Sequence, residues 1–146
     1  MRDEAVEVLL VEDDPNDIEL TLRTLKKHNL ANHVHVVRDG AEALEFLFPT
    51  QNDGEADGHV APKVILLDLK LPKVDGIEVL RRIKDDPEAR AMPVVVLTSS
   101  AEERDVVRSY QLGVNSYIIK PVEFEAFAQA IAQLGLYWLV LNKAYS

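Results

Sequence analysis

The apolar run Val64-Ile65-Leu66-Leu67, closed by Asp68, constrains this chain more than any other feature. An unbroken stretch of this kind predicts a strand buried on both faces, and the breakers Pro72 and Asp75-Gly76 follow at once. Strands buried on both faces belong to parallel sheets covered by helices on either side. An acid at the end of such a strand points out of the carboxyl edge of the sheet, where open α/β folds place their sites. The pattern recurs along the chain. Val8-Leu9-Leu10-Val11 runs into Glu12-Asp13-Asp14, Pro93-Val94-Val95-Val96-Leu97 into Thr98-Ser99-Ser100, and Ser116-Tyr117-Ile118-Ile119 into Lys120-Pro121. Acids, a hydroxyl and a lysine therefore converge on one edge. Such a set suits holding a divalent cation and a phosphoryl group against a carboxylate.

Strand and helix signals alternate throughout. Strands are predicted over 6–11, 34–37, 64–68, 93–98 and 116–119. Asp14-Pro15-Asn16-Asp17 opens a first helix with acids near its positive end, an apolar stripe of Ile18, Leu22 and Leu25, and Lys26-Lys27-His28 at its close. Asp39-Gly40 starts a short helix carrying Leu44, Leu47 and Phe48. A third helix over 76–84 turns Ile77, Leu80 and Ile83 inward and ends at Asp85-Asp86-Pro87. A fourth spans 102–112 with Gly113 as its cap, and the last begins at Glu123. This alternation predicts an α/β fold: a doubly wound, five-stranded parallel sheet with five helices and right-handed crossovers. Residues 49–62 form the longest polar stretch, read as a surface loop insertion.

At 146 residues the chain fits a single domain, 1–146. Its formal net charge of −9 disfavours direct contact with nucleic acid or an anionic membrane. Cysteine is absent, which excludes disulfide scaffolds and thiolate chemistry. No basic-then-apolar leader opens the chain, and no apolar run reaches membrane-spanning length, so the expected location is the cytoplasm. His28, His33, His35 and His59 show no metal-ligand spacing and are assigned to the surface or to partial burial. Phe46, Phe48, Phe124 and Phe127 are assigned to the core.

On neighbouring strand ends, Glu12, Asp13 and Asp68 would repel, at about 1–4 kcal/mol per close pair. A hard divalent cation relieves such a cluster, since Mg²⁺ takes carboxylate, carbonyl and water oxygens. The motifs VEDDP, LLDLKLPKVDG, VVVLTSS and SYIIKPV, in this order and spacing, resemble the receiver domains of two-component response regulators. The resemblance covers nearly the whole chain. It implies the flavodoxin-like receiver fold with strand order 2-1-3-4-5. It implies Asp68 as phosphoacceptor, Asp13 as a direct Mg²⁺ ligand, Glu12 acting through a metal-bound water, and the Lys70 carbonyl as a further ligand. Thr98 would hydrogen-bond the phosphoryl oxygen and Lys120 would pair with it. Tyr117 matches the aromatic position that turns inward as Thr98 moves, Pro121 the place of a cis peptide, and Ser99 the small residue that leaves the site accessible. Asp14 is read as a helix-start residue facing away from the metal. The positive side chain of Lys70 departs from the neutral residue common at that place, and is expected to alter the lifetime of the phosphorylated state.

The chain stops soon after the last helix, so the signal is expected to leave through the domain's own surface. That helix, read as an apolar segment over 123–142, carries Phe124, Phe127, Ile131, Leu134, Trp138 and Leu141 in a stripe, with Gly135 bending or ending it. Leu136, Tyr137, Leu139 and Val140 make its final turns apolar on other faces too, which suits a partner surface. The alternative is an extra core layer. The expected partner is a second copy, a homodimer with Tyr110, Phe127, Leu134, Tyr137, Trp138 and Leu141 as interface candidates. The long loop, LTSS, SYQLGVNSYIIKPVEF and the late YWL further resemble the stand-alone regulators of cyanobacterial and bacterial phytochromes. That likeness implies phosphotransfer from a phytochrome-type histidine kinase, with contact around Asn16 to Arg23 and Pro121.

Four competing readings weaken on particular residues. A haloacid-dehalogenase-like phosphatase wants a second Asp two places after its nucleophile, and Lys70 stands there. A nucleotide-binding domain wants a glycine-rich phosphate loop, and none occurs. A flavin-binding module wants a hydroxyl-rich first loop, where Glu12-Asp13-Asp14 would repel the cofactor phosphate. A receiver that only binds, without phosphoryl chemistry, is disfavoured by the intact Asp68, Thr98 and Lys120.

Overall fold

A computed structural model describes residues 7–27, 34–49, 61–99, 112–114 and 116–135. The strands are β1 (Val8–Val11), β2 (Val34–Val37), β3 (Val64–Asp68), β4 (Val94–Thr98) and β5 (Ser116–Ile119). The helices are α1 (Pro15–Lys27), α2 (Gly40–Leu47), α3 (Gly76–Asp85) and α4 (Phe124–Gln133), with a 3₁₀ turn at Ala89–Ala91. All strand pairs are parallel, in the order β2-β1-β3-β4-β5. The five strands and their order therefore match the expectation. The helix expected over 102–112 lies outside the described residues save for Leu112, which is not helical. The 3₁₀ turn was not foreseen: the Asp86 carboxylate accepts from the Glu88 and Ala89 amides and holds the chain in that turn.

The unbroken apolar strands have the burial that their composition demands. Every residue of β1, β3 and β4 is buried. Alternate side chains feed two cores. One face gathers Leu10, Leu66 and Leu97 with Ile18 and Leu25 of α1 and Phe127 and Ile131 of α4. The opposite face gathers Leu9, Ile65, Leu67 and Val96 with Leu47 of α2 and Val79, Leu80 and Ile83 of α3. Helix faces differ in detail from the periodicity reading. In α1, Thr21 is buried while Leu22 is half-buried. In α2, Ala43 is buried and Leu44 half-buried.

Short polar caps fix the helix starts beside the sheet edge. Asp39 accepts from the Glu42 amide at 2.7 Å, and the Glu42 carboxylate in turn accepts from the Arg38 amide at 2.9 Å. Asp75 accepts from the Glu78 amide at 3.1 Å. At the far end, α4 stops at Gln133, and Gly135 has a φ of 76°, which suits glycine. The sequence reading places a bend or an end at this glycine. Residues 136–146, the remainder of the expected apolar segment, lie outside the described residues, as do 50–60 of the polar loop.

Candidate phosphoryl and metal site

The carboxyl edge of the sheet brings the ends of β1, β3, β4 and β5 together. Glu12 follows β1, and its amide donates to the Val37 carbonyl at 3.0 Å, which turns its side chain into the edge. Asp68 is the last residue of β3, paired in register with Leu97. Thr98 ends β4 fully buried, and its carbonyl accepts from the Lys120 amide at 2.9 Å, which places that lysine directly after β5. The Lys120–Pro121 peptide is cis.

Carboxylate oxygens of Glu12, Asp13 and Asp68 lie within 4.8 Å of one another. Asp13 is exposed, while Glu12 and Asp68 are buried. Lys120 answers them with its ammonium, 3.3 Å from Glu12 Oε1 and 3.4 Å from Asp68 Oδ2. Burial, and then the charge of Asp68, push the Glu12 carboxyl up to about 7. Burial also raises Asp68, against the pull of Lys120. Burial opposes charge on Lys120, but its bond to Asp17 and the charges of Asp68 and Glu12 outweigh that and hold the ammonium protonated. The site therefore carries more negative charge than one lysine can balance. Its donors are hard oxygens with one exposed member, which fits a divalent cation reached from solvent.

The surrounding backbone holds Asp68 in place. The Lys70 amide donates to Asp68 Oδ1 at 3.3 Å, and the Gly76 amide to the Leu69 carbonyl at 2.8 Å. A Cβ on Gly76 would stand 2.4 Å from the Asp68 carbonyl oxygen, so only glycine lets α3 start this close. Asp14 behaves as the sequence suggests. Its Oδ1 accepts from the Asn16 and Asp17 amides at 2.8 and 3.3 Å and starts α1. Tyr117 is half-buried against the core shared with α2 and α3.

One side chain beside Lys120 escaped the sequence reading. Asp17 Oδ2 lies 2.9 Å from Lys120 Nζ, closer than either of the other acids. The two residues are 103 positions apart, and an acid in the first turn of a helix already had an ordinary explanation. One dimer candidate is corrected. Phe127 is 1% exposed and fills the core between α4 and the sheet, so it has no surface for a partner. Leu134 is half-buried against the same core. Tyr110, Tyr137, Trp138 and Leu141 lie outside the described residues.

A five-stranded parallel sheet in this order, with this acid–lysine edge, defines a receiver. The response regulator receiver domain family matches residues 8–132, and the chain belongs to it. Its relatives include the response regulator Rcp1 of Synechocystis, 41% identical over 132 residues, covering 90% of this chain and 88% of that protein. The Mn²⁺-bound structure of Rcp1 superposes with a TM-score of 0.68 at 40% identity, over 92% of this chain and 94% of that one. The bacteriophytochrome response regulator AtBRR gives a TM-score of 0.83 at 55% identity, over 92% and 95% of the two chains. A probable methanogenesis regulatory protein of Methanothrix harundinacea, FilR2, is also 41% identical, over 94% of this chain and 86% of that protein.

Proposed function

We propose that this chain, acting as one receiver unit over 1–146, takes a phosphoryl group from a histidine kinase onto Asp68 and signals through its surface. The observation that carries this reading is the buried Asp68 carboxylate, held 3.4 Å from Lys120 Nζ beside the Glu12 and Asp13 oxygens. A carboxylate oxygen of Asp68 attacks phosphorus. The new O–P bond forms as the P–N bond to the donor imidazole breaks, and that nitrogen keeps the electron pair and takes a proton. Asp13, Asp68 and the Lys70 carbonyl would hold a divalent cation, Mg²⁺ in this reading, with Glu12 acting through a metal-bound water, and the cation would supply charge that offsets the phosphoryl oxygens. Lys120 pairs with a phosphoryl oxygen and Thr98 donates its hydroxyl to another. Water later attacks phosphorus, the O–P bond to Asp68 breaks, and inorganic phosphate leaves with the carboxylate restored. The exposed Lys70 side chain stands beside this step and tunes its rate.

The relatives lend support to one sensor class. The bacteriophytochrome regulator AtBRR shares 55% identity with this chain, which supports a phytochrome-type kinase as donor. The contact surface we assign to it is a groove lined by Leu20, Arg23, Thr24, Pro121 and Val122. Leu20 is 44% exposed there, an apolar anchor for a partner helix. After transfer, Thr98 and Tyr117 shift the surface around β5, where Ile119 is 48% exposed. This supports homodimer formation through β5 and the residues after α4. Among the described residues no helix is long and apolar enough to cross a membrane, and the proposed location is the cytoplasm.

The test is incubation with a small phosphoryl donor and Mg²⁺, followed by intact mass. One Mg²⁺-dependent adduct, lost in Asp68→Asn, is expected. A folded protein that takes no adduct, while a control receiver does, would overturn the assignment.

A further inference from the structure

Lys120 has three carboxylate partners, and the closest stands outside the cluster of Glu12, Asp13 and Asp68. Its ammonium lies 2.9 Å from Asp17, 3.3 Å from Glu12 and 3.4 Å from Asp68. Asp17 is placed there by a short chain of bonds. The Asp14 amide donates to Glu12 Oε2 at 3.2 Å, and the Asp14 carboxylate accepts from the Asp17 amide at 3.3 Å. The first turn of α1 is thus registered to the site. The Asp17 carboxylate reaches across from that turn to the end of β5. Its side chain is 27% exposed, against 1% for Glu12 and 6% for Asp68.

We propose that Asp17 is a positioning residue that competes with the phosphoryl group for Lys120, and so sets how readily Asp68 is phosphorylated and how long it stays so. The inference rests on the phosphoacceptor reading above. An ammonium has three donors, and here each has one carboxylate to serve. Glu12 and Asp68 would hold Lys120 less firmly when they serve a cation, which would leave Asp17, already the nearest at 2.9 Å, as its firm tie. A phosphoryl group on Asp68 adds negative charge and strong acceptor oxygens on the inner side. Lys120 meets them by giving up Asp17. Every phosphorylation therefore opposes one charge-assisted hydrogen bond, and removing that bond favours the phosphorylated form. The same move frees an acid on the α1 surface, near the groove assigned to the kinase.

The experiment compares wild type with Asp17→Asn and Asp17→Glu, all checked for folding by thermal melts. Beryllofluoride with Mg²⁺ serves as the phosphoryl mimic. Acylation of Lys120, read by mass spectrometry in metal-free protein, reports the tether independently. Asp17→Asn should bind the mimic about fivefold to tenfold more tightly, label faster at Lys120, and return toward wild type in Asp17→Glu. Equal or weaker mimic binding in Asp17→Asn, beside a wild type that binds, overturns the competition. A wild type that does not bind the mimic sinks the phosphoacceptor reading instead. The labelling rate then decides the tether alone: faster in Asp17→Asn upholds it, and unchanged overturns it.

Discussion

Glu12 has its side chain sealed from water, 1% exposed, with Asp68 as a neighbour and one ammonium at 3.3 Å. Burial and then that neighbouring charge push its carboxyl up to about 7, so below that pH it holds a proton that a divalent cation must displace. Cation affinity should therefore rise with pH, by up to about tenfold per unit for one proton released, and level off above about 7. Calorimetric titration of Mg²⁺ at pH 6, 7 and 8 checks this, and Glu12→Gln should flatten the trend. Affinity that is already independent of pH in the wild type would remove Glu12 from the site. Residue by residue, the site was legible where one side chain closes a strand. Asp68, Thr98 and Lys120 each follow an apolar run, and a run fixes which edge its last residue meets. Asp17 was not legible. It sits in the first turn of a helix, where an acid is already explained, and no local pattern announces a partner 103 residues away. Phe127 was read both as core and as an interface candidate, and packing upholds only the first. Its place on an apolar stripe is the same for a core residue and for an interface residue, and only packing separates them.

At the scale of elements, the site depends on how closely α3 begins to the end of β3. A methyl group on Gly76 would meet the Asp68 carbonyl oxygen at 2.4 Å and the Leu69 Cα at 2.5 Å, and both are backbone atoms that cannot swing aside. Gly76→Ala should cost about 1–3 kcal/mol by overpacking and should also weaken Mg²⁺ binding, because the strand end that moves carries Asp68. Denaturant unfolding and metal titration test the two parts separately. Full stability with full metal affinity would show that α3 retreats freely. The cap of α2 makes a contrasting case. Asp39→Ala removes the bond to the Glu42 amide and should cost about 1 kcal/mol. The exposed Lys73 partner of Asp39, at 3.7 Å, adds little. Metal affinity should stay near that of wild type, and a loss above tenfold would mean that the α2 start governs the acid cluster. Element positions were legible because strands of unbroken apolar residues and Asp caps are strong local signals. Helix faces were less so. Thr21 is buried and Leu22 is not, since position around α1 outranks side-chain polarity when a small hydroxyl fits.

Across the whole molecule, two cores on opposite faces clamp a sheet whose carboxyl edge carries unbalanced acid, and that opposition sets how stability responds to pH. Alternation and crossover handedness made a parallel sheet legible, the strand order came only with the receiver resemblance, and the energetic cost of the edge emerges only once burial is known. Folded Glu12 keeps its proton to about 7, against an ordinary value of 4.5. Between those limits the folded state binds more protons than the unfolded chain, so stability falls as pH rises. The contribution of Glu12 is complete below 4.5 and is lost as pH passes through about 7, with a magnitude on the order of 3 kcal/mol at most. Asp68, also raised by burial, moves stability in the same direction. Lys120 is raised above an already basic value and stays charged throughout, so it adds no slope in this range. Metal-free protein should therefore melt at a lower temperature at pH 8 than at pH 5.5, and Glu12→Gln should reduce the difference. A divalent cation prefers the deprotonated cluster and reverses the penalty. At one hundred times its dissociation constant it should contribute about 2.7 kcal/mol, or roughly 5–10 °C in melting temperature. The same Mg²⁺ concentration should do much less at pH 5.5, where protons hold the site. Asp13→Asn and Asp68→Asn should each blunt the gain at pH 8. Thermal melts across pH, with and without Mg²⁺, decide the matter. A metal-free protein that grows more stable from pH 5.5 to 8, or a Mg²⁺ gain equal at both, would mean that the acidic edge is not what limits this fold.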